Sequence, residues 1–428
     1  MHHNISIPTD PVLRPAQTNT QSLGRLKISL TNQTGYTPVP GATIRVSYTG
    51  NPDQIIEELT TNESGQTDTV ELPTPNRDYS LEPEANQPYS EYTLSVSAPG
   101  YDTLVVAGTQ LLSGETALQD IRLAPQINNL SASDIVIPAH TLYGEYPPKI
   151  AETEIKPVNE SGEIVLSRVV IPETIVVHAG PPTDPGAKNY YVPYRDYIKN
   201  VASSEIYATW PESTITANVL AIMSFTLNRV YTEWYRNKGY DFTITSSTAY
   251  DHFFVYGRNI FESISLVVDN IFTNYLSRPN VRQPILTQYC DGQRVSCPDW
   301  MSQWGSKALG DQGYSAIEIL RHYYGDSMYI NSAPQVSGIP SSWPGSNLTN
   351  GSRGEKVLQI QEQINRIAQN YPAIPTIAAD GIYGPATAAA VKKFQEIFNL
   401  PATGVVDYPT WYKISQIYVG VSRIAELN

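Results

Sequence analysis

The hydrophobic pattern changes its period along this chain, and that change limits what the chain can fold into. Between residues 24 and 125 apolar side chains alternate in short runs separated by Gly and Pro, which is typical of β-strands. From about residue 353 onward they recur every three or four residues, which is typical of helices. A single hydrophobic core seldom serves 428 residues. The sequence therefore predicts several domains of different classes.

The β-rich part contains six short runs that predict strands. They are Leu26–Leu30, Ala42–Val46, Thr69–Leu72, Tyr92–Val96, Thr103–Val106 and Asp120–Leu123. Runs of this length and spacing favour a small antiparallel β-sandwich. The segments 41–44, 61–65 and 98–101 resemble β domains of the carboxypeptidase-regulatory type. We find no catalytic grouping in this part, so we expect it to have a structural, targeting or inhibitory role.

The composition of the intervening segments places the domain boundaries. The connector carries eight prolines between residues 138 and 185, and Ser, Pro and Gly dominate a second linker. The predicted parts are an N-terminal tail (1–23), the β-sandwich (24–125), the Pro-rich connector (126–195), a central α+β domain (196–331), the linker (332–352) and an all-α C-terminal domain (353–428).

Charge and targeting signals exclude several classes of partner. With 41 acidic and 28 basic residues the net charge is −13, which disfavours nucleic acid and anionic membrane surfaces as partners. No apolar run is long enough to span a membrane. The segment from Met1 to Pro8 has no basic region followed by an apolar core, so we expect no Sec signal peptide.

Two blocks of the central part carry the functional signal. The first runs from Val201 through Glu205 to Trp210-Pro211, and the second runs from Cys290 to Trp304-Gly305. They resemble the stage II sporulation protein D family of peptidoglycan lytic transglycosylases. Within it, the likeness is to spore cortex-lytic enzymes of the SleC type and extends over most of the chain. The resemblance implies a central α+β catalytic domain that cuts cell-wall glycan.

The C-terminal part resembles the three-helix peptidoglycan-binding domain found on many wall hydrolases. Two turns, 380–387 and 403–410, look like copies of one turn-into-helix unit, in which Gly381 and Gly404 supply positive φ. The residues of this motif, which we assign to the peptidoglycan-binding module, are Asp380, Gly381, Tyr383, Gly384, Phe394, Gln395 and Trp411. The resemblance implies that the chain binds peptidoglycan.

Glycan cleavage requires a protonated carboxylic acid beside the departing sugar oxygen. A lytic transglycosylase needs only one, because the C6 hydroxyl of the muramic acid itself attacks C1 and gives a 1,6-anhydro product. The resemblance places Glu205 as this acid and base. Apolar neighbours such as Ile206, Tyr207 and Trp210 would raise its pKa.

The resemblance also implies a substrate groove with two departures from the family pattern. The groove residues are Trp210, Ser302, Gln303, Trp304 and Tyr314. Met223 stands where many family members have an arginine, and Cys297 stands where many have a histidine. A charge-stabilising role for that arginine therefore has no counterpart here.

Cys290 and Cys297 are the two cysteines of the chain, and their spacing leaves three states open. They are free thiols, a disulfide, or two ligands of a structural zinc with His252 as the third, as some family members bind zinc near this site. The proposed chemistry itself requires no cofactor.

The resulting hypothesis is a spore cortex-lytic transglycosylase, made in the mother cell and placed around the forespore. The resemblance implies a proform in which an activating protease cuts the connector at germination. One rival is a muramidase or glucosaminidase in which Asp251, Glu262 or Asp299 activates water. The other is a noncatalytic wall-binding scaffold.

Overall fold

The computed structural model describes residues 22–83, 86–126, 134–144, 146–154, 168–334, 336–337 and 343–426. The side chains of residues 423–426 are not included. Most of the predicted N-terminal tail and parts of the connector and the linker lie outside the described residues.

Sixteen strands form five sheets in this part of the chain. They are β1 (Ser22–Asn32), β2 (Thr43–Tyr48), β3 (Asn51–Thr60), β4 (Val70–Thr74), β5 (Tyr89–Ser97), β6 (Leu104–Leu112), β7 (Thr116–Leu123), β8 (Ile135–Val136), β9 (Thr174–His178), β10 (Asn189–Pro193), β11 (Ile244–Thr245), β12 (Ile260–Phe261), β13 (Asn274–Ser277), β14 (Tyr289–Cys290), β15 (Met301–Ser302) and β16 (Tyr329–Ser332).

The β-rich N-terminal part has two sheets that share one hydrophobic core. One has the order β12-β7-β1-β4 and the other β3-β2-β5-β6-β8. Alternate residues of β1 are buried (Leu26, Ile28 and Leu30), because successive side chains of a strand point to opposite faces. The expectation of an antiparallel sandwich is corrected at two places: β1 pairs with β7 in parallel, and β6 pairs with β8 in parallel.

One edge strand of each of these sheets comes from outside the predicted N-terminal domain. β12 belongs to the central domain and β8 to the connector, and each adds a short strand to one sheet. Exposed sheet edges are templates for pairing, so covering them joins the domains through backbone hydrogen bonds. The sandwich and the central domain are therefore one continuous body.

Eight α-helices complete the described fold. They are α1 (Tyr194–Glu205), α2 (Glu212–Tyr231), α3 (Glu262–Ile271), α4 (Gln303–Asp311), α5 (Ala316–Tyr324), α6 (Glu355–Ala368), α7 (Pro385–Ile397) and α8 (Tyr408–Glu426). Of these, α2 is buried on almost every face. It forms the centre of the α+β domain and packs against α1, α3, α4, α5 and β13.

The C-terminal helices α6, α7 and α8 form the predicted all-α domain, and this domain lies against the rest of the chain. Lys27 of β1 donates a 2.7 Å hydrogen bond to Asn399, and Gln66 donates one of 2.7 Å to the carbonyl of Ile397. Arg195 of α1 bonds the carbonyl of Tyr412 on α8. The domain is docked rather than freely tethered. Among the helices of the described residues, none has the length and apolar character needed to cross a bilayer.

Candidate active site

Glu205 is the last residue of α1 and its side chain is completely buried. Its Oε1 accepts a 2.6 Å hydrogen bond from the backbone N–H of Phe253, and its Oε2 accepts one of 2.5 Å from the hydroxyl of Tyr289. One donor comes from a loop and the other from β14. The carboxyl group is thus held in one orientation by two separate segments of the central domain.

The surroundings of Glu205 favour its protonated form. Burial raises the pKa of the carboxyl, while the nearby Lys149 and the hydrogen bonds from Tyr289 and Phe253 lower it in part. Burial is the largest of these effects, so the pKa stays above its usual value. A carboxylic acid in this state can hold a proton for donation closer to neutral pH than an exposed glutamate.

A segment of the connector covers this carboxyl group. We call residues 138–154 the strap; residue 145 lies outside the described residues. Thr141 of the strap bonds the carbonyl of Ser204 through its backbone N–H and its hydroxyl. His140 stacks on Tyr207 with ring centroids 4.5 Å apart. The strap therefore runs across the end of α1 where Glu205 lies.

Lys149 places a cation from the strap beside the site. Its Nζ lies 4.5 Å from the ring centroid of Tyr289 and donates a 2.5 Å hydrogen bond to the carbonyl of Asp251. Burial lowers the pKa of Lys149, and Glu205 and Asp251 oppose that effect. The strap thus supplies both a steric cover and a counter-charge for the catalytic candidate.

A second layer of aromatic side chains supports Tyr289. The imidazole of His252 stacks on Tyr289 at 5.9 Å, and its Nδ1 lies 2.9 Å from the hydroxyl of Tyr197. Burial lowers the pKa of His252 well below its usual value, so the ring is neutral. Neutral His252 holds the Tyr289 ring in place without adding charge beside Glu205.

Of three consecutive predicted groove residues, one contacts Glu205 directly. Gln303 is buried and donates a 3.1 Å hydrogen bond to the backbone carbonyl of Glu205. Trp304 packs on Trp210 with centroids 5.0 Å apart. Ser302 caps α4 by accepting a hydrogen bond from the N–H of Gly305. These side chains build the wall behind the site.

Trp210 and Tyr314 do not line an open groove in this structure. Trp210 is 3% exposed, and its indole N–H donates to the carbonyl of Ser80 in the N-terminal domain. Arg77 of the same segment bonds the carbonyl of Thr209. Tyr314 is 42% exposed and lies in the turn between α4 and α5. The N-terminal domain thus covers one predicted sugar-binding surface.

The candidate second carboxylates lie in other settings. Asp251 is buried and accepts hydrogen bonds from Arg229, Tyr235 and Thr245. Glu262 begins α3, near the β-sandwich, and Asp299 is exposed in a loop. Among the described residues, no carboxylate contributes to the pKa shift of Glu205.

The two cysteines are joined in a disulfide between Cys290 and Cys297. This is one of the three states that the sequence left open, and it removes both thiolates as zinc ligands. In the described part of the chain, no group of three or more His, Cys, Asp or Glu side chains could hold a metal ion. His252 instead takes part in the aromatic layer behind Tyr289.

In the C-terminal domain two glutamines organise two equivalent turns. Gln361 accepts a hydrogen bond from the N–H of Gly381 and donates to the carbonyl of Ile382 and to Thr387. Gln395 makes the same set of bonds with Gly404, Val405 and Thr410. Both glycines have positive φ, as the sequence predicts. The domain is therefore an internal repeat.

Several residues assigned to the peptidoglycan-binding module are core residues. Tyr383, Phe394, Gln395 and Trp411 are each 0% exposed. They hold the helices together and do not offer a surface for a sugar ring. Asp380 lies on the turn surface, where its carboxylate accepts from Gln361 and from the N–H of Ile382. Gly384 precedes α7 and caps its start.

Sequence reasoning missed the groups that contact or cover Glu205. Tyr289 adjoins Cys290 in the recognised block, but nothing in its neighbourhood marked it as a partner of a residue 84 positions away. Lys149 follows two prolines in the connector, to which we assigned a domain boundary and the activation cleavage but no contact with the site. The run Lys149-Ile-Ala-Glu152-Thr-Glu154, in which one cation is followed by two anions, was the available signal.

Comparison with known proteins supports the C-terminal assignment. Residues 353–414 match the family described as "Putative peptidoglycan binding domain". A zinc D-Ala-D-Ala carboxypeptidase of Streptomyces albus G is 40% identical over 77 residues, which are 18% of this chain and 28% of the relative. The chain thus spans less than a third of that relative's length. These matches support a cell-wall-associated protein with a peptidoglycan-binding domain.

Solved structures resemble short parts of the chain. The SleB N-terminal domain is 27% identical, with a TM-score of 0.15, and the match covers 17% of this chain and 93% of that one. The Bacillus anthracis TIE protein is 24% identical with a TM-score of 0.17, over 24% of this chain and 17% of that one.

Proposed function

We propose that this protein is a peptidoglycan lytic transglycosylase of the spore cortex, held inactive by its own connector until a protease releases it. The observation that carries the proposal is the buried Glu205, oriented by Tyr289 and by the N–H of Phe253. Its elevated pKa suits an acid that must hold a proton before the reaction. The peptidoglycan-binding domain at residues 353–414 supports glycan as the substrate.

The reaction needs only this carboxyl group. Protonated Glu205 gives its proton to the oxygen of the departing N-acetylglucosamine as the bond from C1 of the muramic acid to that oxygen breaks. The resulting carboxylate then takes the proton of the C6 hydroxyl as the bond from O6 to C1 forms. No water is consumed, and the product is a 1,6-anhydromuramic end.

The strap supports the second part of the proposal, the latent state. Substrate cannot reach a carboxyl group that is 0% exposed, and we infer that the strap, which packs on the end of α1, leaves before turnover. Lys149 adds an electrostatic effect, because a cation beside Glu205 favours the carboxylate and disfavours the acid. Cleavage of the connector would free one end of the strap.

Mass spectrometry of soluble products tests the function. Full-length protein with a specific protease site inserted between residues 155 and 167 is incubated with cortex and vegetative peptidoglycan, before and after cleavage. Glu205→Gln and the control Glu212→Gln, an exposed residue at the start of α2, are treated in parallel.

We expect anhydromuramic ends after cleavage, kept in the control and lost in Glu205→Gln. Reducing ends would replace the proposal by a hydrolase with a second carboxylate. Retention of glycan without any product would favour the noncatalytic scaffold.

A further inference from the structure

The second half of the strap lies along the central domain as an extended peptide. The side-chain amide of Gln288 donates a 3.0 Å hydrogen bond to the carbonyl of Ile150 and accepts one of 3.1 Å from the N–H of Glu152. On the other side the N–H of Ile150 donates to the carbonyl of Ala249. Gln288 therefore pairs with the backbone carbonyl and N–H groups on either side of Ala151, in the way that a neighbouring strand would.

Two arginines bind the carboxylates that follow. Glu152 forms two hydrogen bonds with Arg229, of 2.6 and 3.0 Å. Glu154 forms two with Arg278, of 2.8 and 3.0 Å. Paired contacts of this kind match the fork of a guanidinium to the two oxygens of a carboxylate and give geometric specificity. Two carboxylates of the strap are thus each bound by one arginine of the central domain.

The two arginines differ in the charge partners that remain once the strap has left. Arg229 keeps a second carboxylate, because its Nε also donates to Asp251 at 2.7 Å. In the described part of the chain, the salt bridge of Arg278 is with Glu154, and its other contacts are the carbonyl of Tyr324 and the hydroxyl of Ser327. Arg278, whose side chain is 24% exposed with the strap in place, loses that charge partner when the strap departs.

The surface under strap residues 149–154, which we call the groove, adjoins the candidate active site. Gln288 immediately precedes Tyr289, which bonds Glu205. Lys149 lies beside the same tyrosine, and Glu154 follows it by five residues. An extended chain advances about 3.3 Å per residue, so Arg278 lies within roughly 16 Å of the lysine along the groove. A glycan bound at Glu205 could place an adjoining peptide there.

We propose that the groove under strap residues 149–154 is the subsite for the peptide side chain of the glycan. Gln288 pairs with a peptide amide, and Arg278 pairs with a free peptide carboxylate. The strap occupies this subsite with chemically similar groups, a backbone amide and the Glu154 carboxylate. The inference rests on the proposed function, since it assumes that peptidoglycan replaces the strap.

The test uses the full chain with Glu154→Ala, cleaved in the connector as above. The probes are two forms of a disaccharide-peptide from peptidoglycan, one with free peptide carboxylates and one with those carboxylates amidated. Each contains a single N-acetylglucosamine-muramic acid pair, which lacks the bond that a lytic transglycosylase cuts. Binding is followed by the NMR signal of the Nε–H group of Arg278, assigned by its loss in Arg278→Lys.

We expect the free-carboxylate probe to shift this signal and the amidated probe to leave it nearly unchanged. In Arg278→Gln the affinity for the free probe should fall about tenfold, with a smaller fall in Arg278→Lys, because a lysine keeps the charge but not the fork. Arg282→Gln changes an exposed arginine four residues away and should have no effect. Binding by the C-terminal domain is common to all variants and cancels in this comparison.

The subsite proposal is overturned if the Arg278 signal moves with neither probe, or equally with both. Failure of the proposed function gives a different result. In that case the free-carboxylate probe binds at Arg278 while no glycan is cut. Conversely, glycan cleavage that is indifferent to Arg278 would keep the enzyme and remove the subsite.

Discussion

The hydroxyl of Tyr289 donates a 2.5 Å hydrogen bond to Oε2 of Glu205, joining the two blocks that carry the family resemblance. The residues are 84 positions apart, on β14 and at the end of α1. This bond fixes the orientation of the carboxyl group and stabilises its ionised form. It works against burial, which favours the protonated form. Tyr289 is therefore a positioning residue that also tunes the acid.

Replacing Tyr289 by Phe should raise the pKa of Glu205 further, because it removes a hydrogen bond that lowers it. An acid with a higher pKa keeps its proton to a higher pH, so the alkaline limb of the pH profile of kcat should move to higher pH. Loss of orientation should lower kcat about tenfold. Tyr191→Phe, at an exposed tyrosine, should change neither quantity. An unmoved alkaline limb would contradict this role for Tyr289.

The stability of Glu205→Gln relative to wild type should increase as the pH rises. The pKa of Glu205 is raised in the folded state, so the folded state holds its proton more tightly than the unfolded state does. That contribution is present below the unfolded pKa and is lost as the pH rises through the folded pKa. Glutamine has no such dependence. The difference in Tm between mutant and wild type, measured at pH 5 and pH 8, should therefore increase with pH, whereas Glu212→Gln should show no such trend.

Glu154→Ala should raise the activity of the uncleaved chain. The mutation removes the paired contact with Arg278, a partly exposed ion pair worth about 1 kcal/mol, and so favours departure of the strap. That change corresponds to a roughly fivefold larger ratio of protein without the strap in place to protein with it in place. The rate of product release from soluble glycan measures it. Glu58→Ala breaks an exposed arginine pair on the β2–β3 hairpin and should leave the rate unchanged.

Gln361→Ala should reduce binding of the full chain to insoluble peptidoglycan. The Gln361 amide satisfies the N–H of Gly381, the carbonyl of Ile382 and the hydroxyl of Thr387. Leaving buried polar groups without partners costs about 1–3 kcal/mol each, so the first turn should lose its conformation. We expect at least a fivefold fall in the protein that sediments with peptidoglycan. Gln359→Ala, on the same helix, is the control, and an equal fall in both variants would contradict the role of Gln361.

The C-terminal domain shows how much a local pattern can predict. Its helical periodicity indicated helices and its two Gly-containing turns indicated a repeat, while the number of helices came from the family resemblance. Helix periodicity and positive-φ glycines are properties of a few neighbouring residues, so they can be read without a fold. The local pattern did not indicate which polar side chain would bond to each turn. Gln361 lies 20 residues from Gly381, and its bonds depend on how α6 packs.

The N-terminal domain shows where local patterns stop being informative. Alternating residues indicated strands and a sandwich, but the parallel pairing of β1 with β7 connects segments far apart in the chain. The sheet edges contributed by β8 and β12 likewise come from other predicted domains. Strand pairing depends on partners brought together by the whole fold, and alternation along one strand does not identify them.

The kinds of element and the C-terminal repeat could be predicted from the sequence alone, and the resemblance of its block to a known family made Glu205 the catalytic candidate. These follow from patterns within short segments and from motifs within single blocks. Tertiary contacts add that Glu205 is buried, that Lys149 lies beside Tyr289, and that Glu154 is bound by Arg278. Burial and charge pairing depend on contacts between distant segments. A connector that looks like a spacer in sequence can therefore be the part that closes the site.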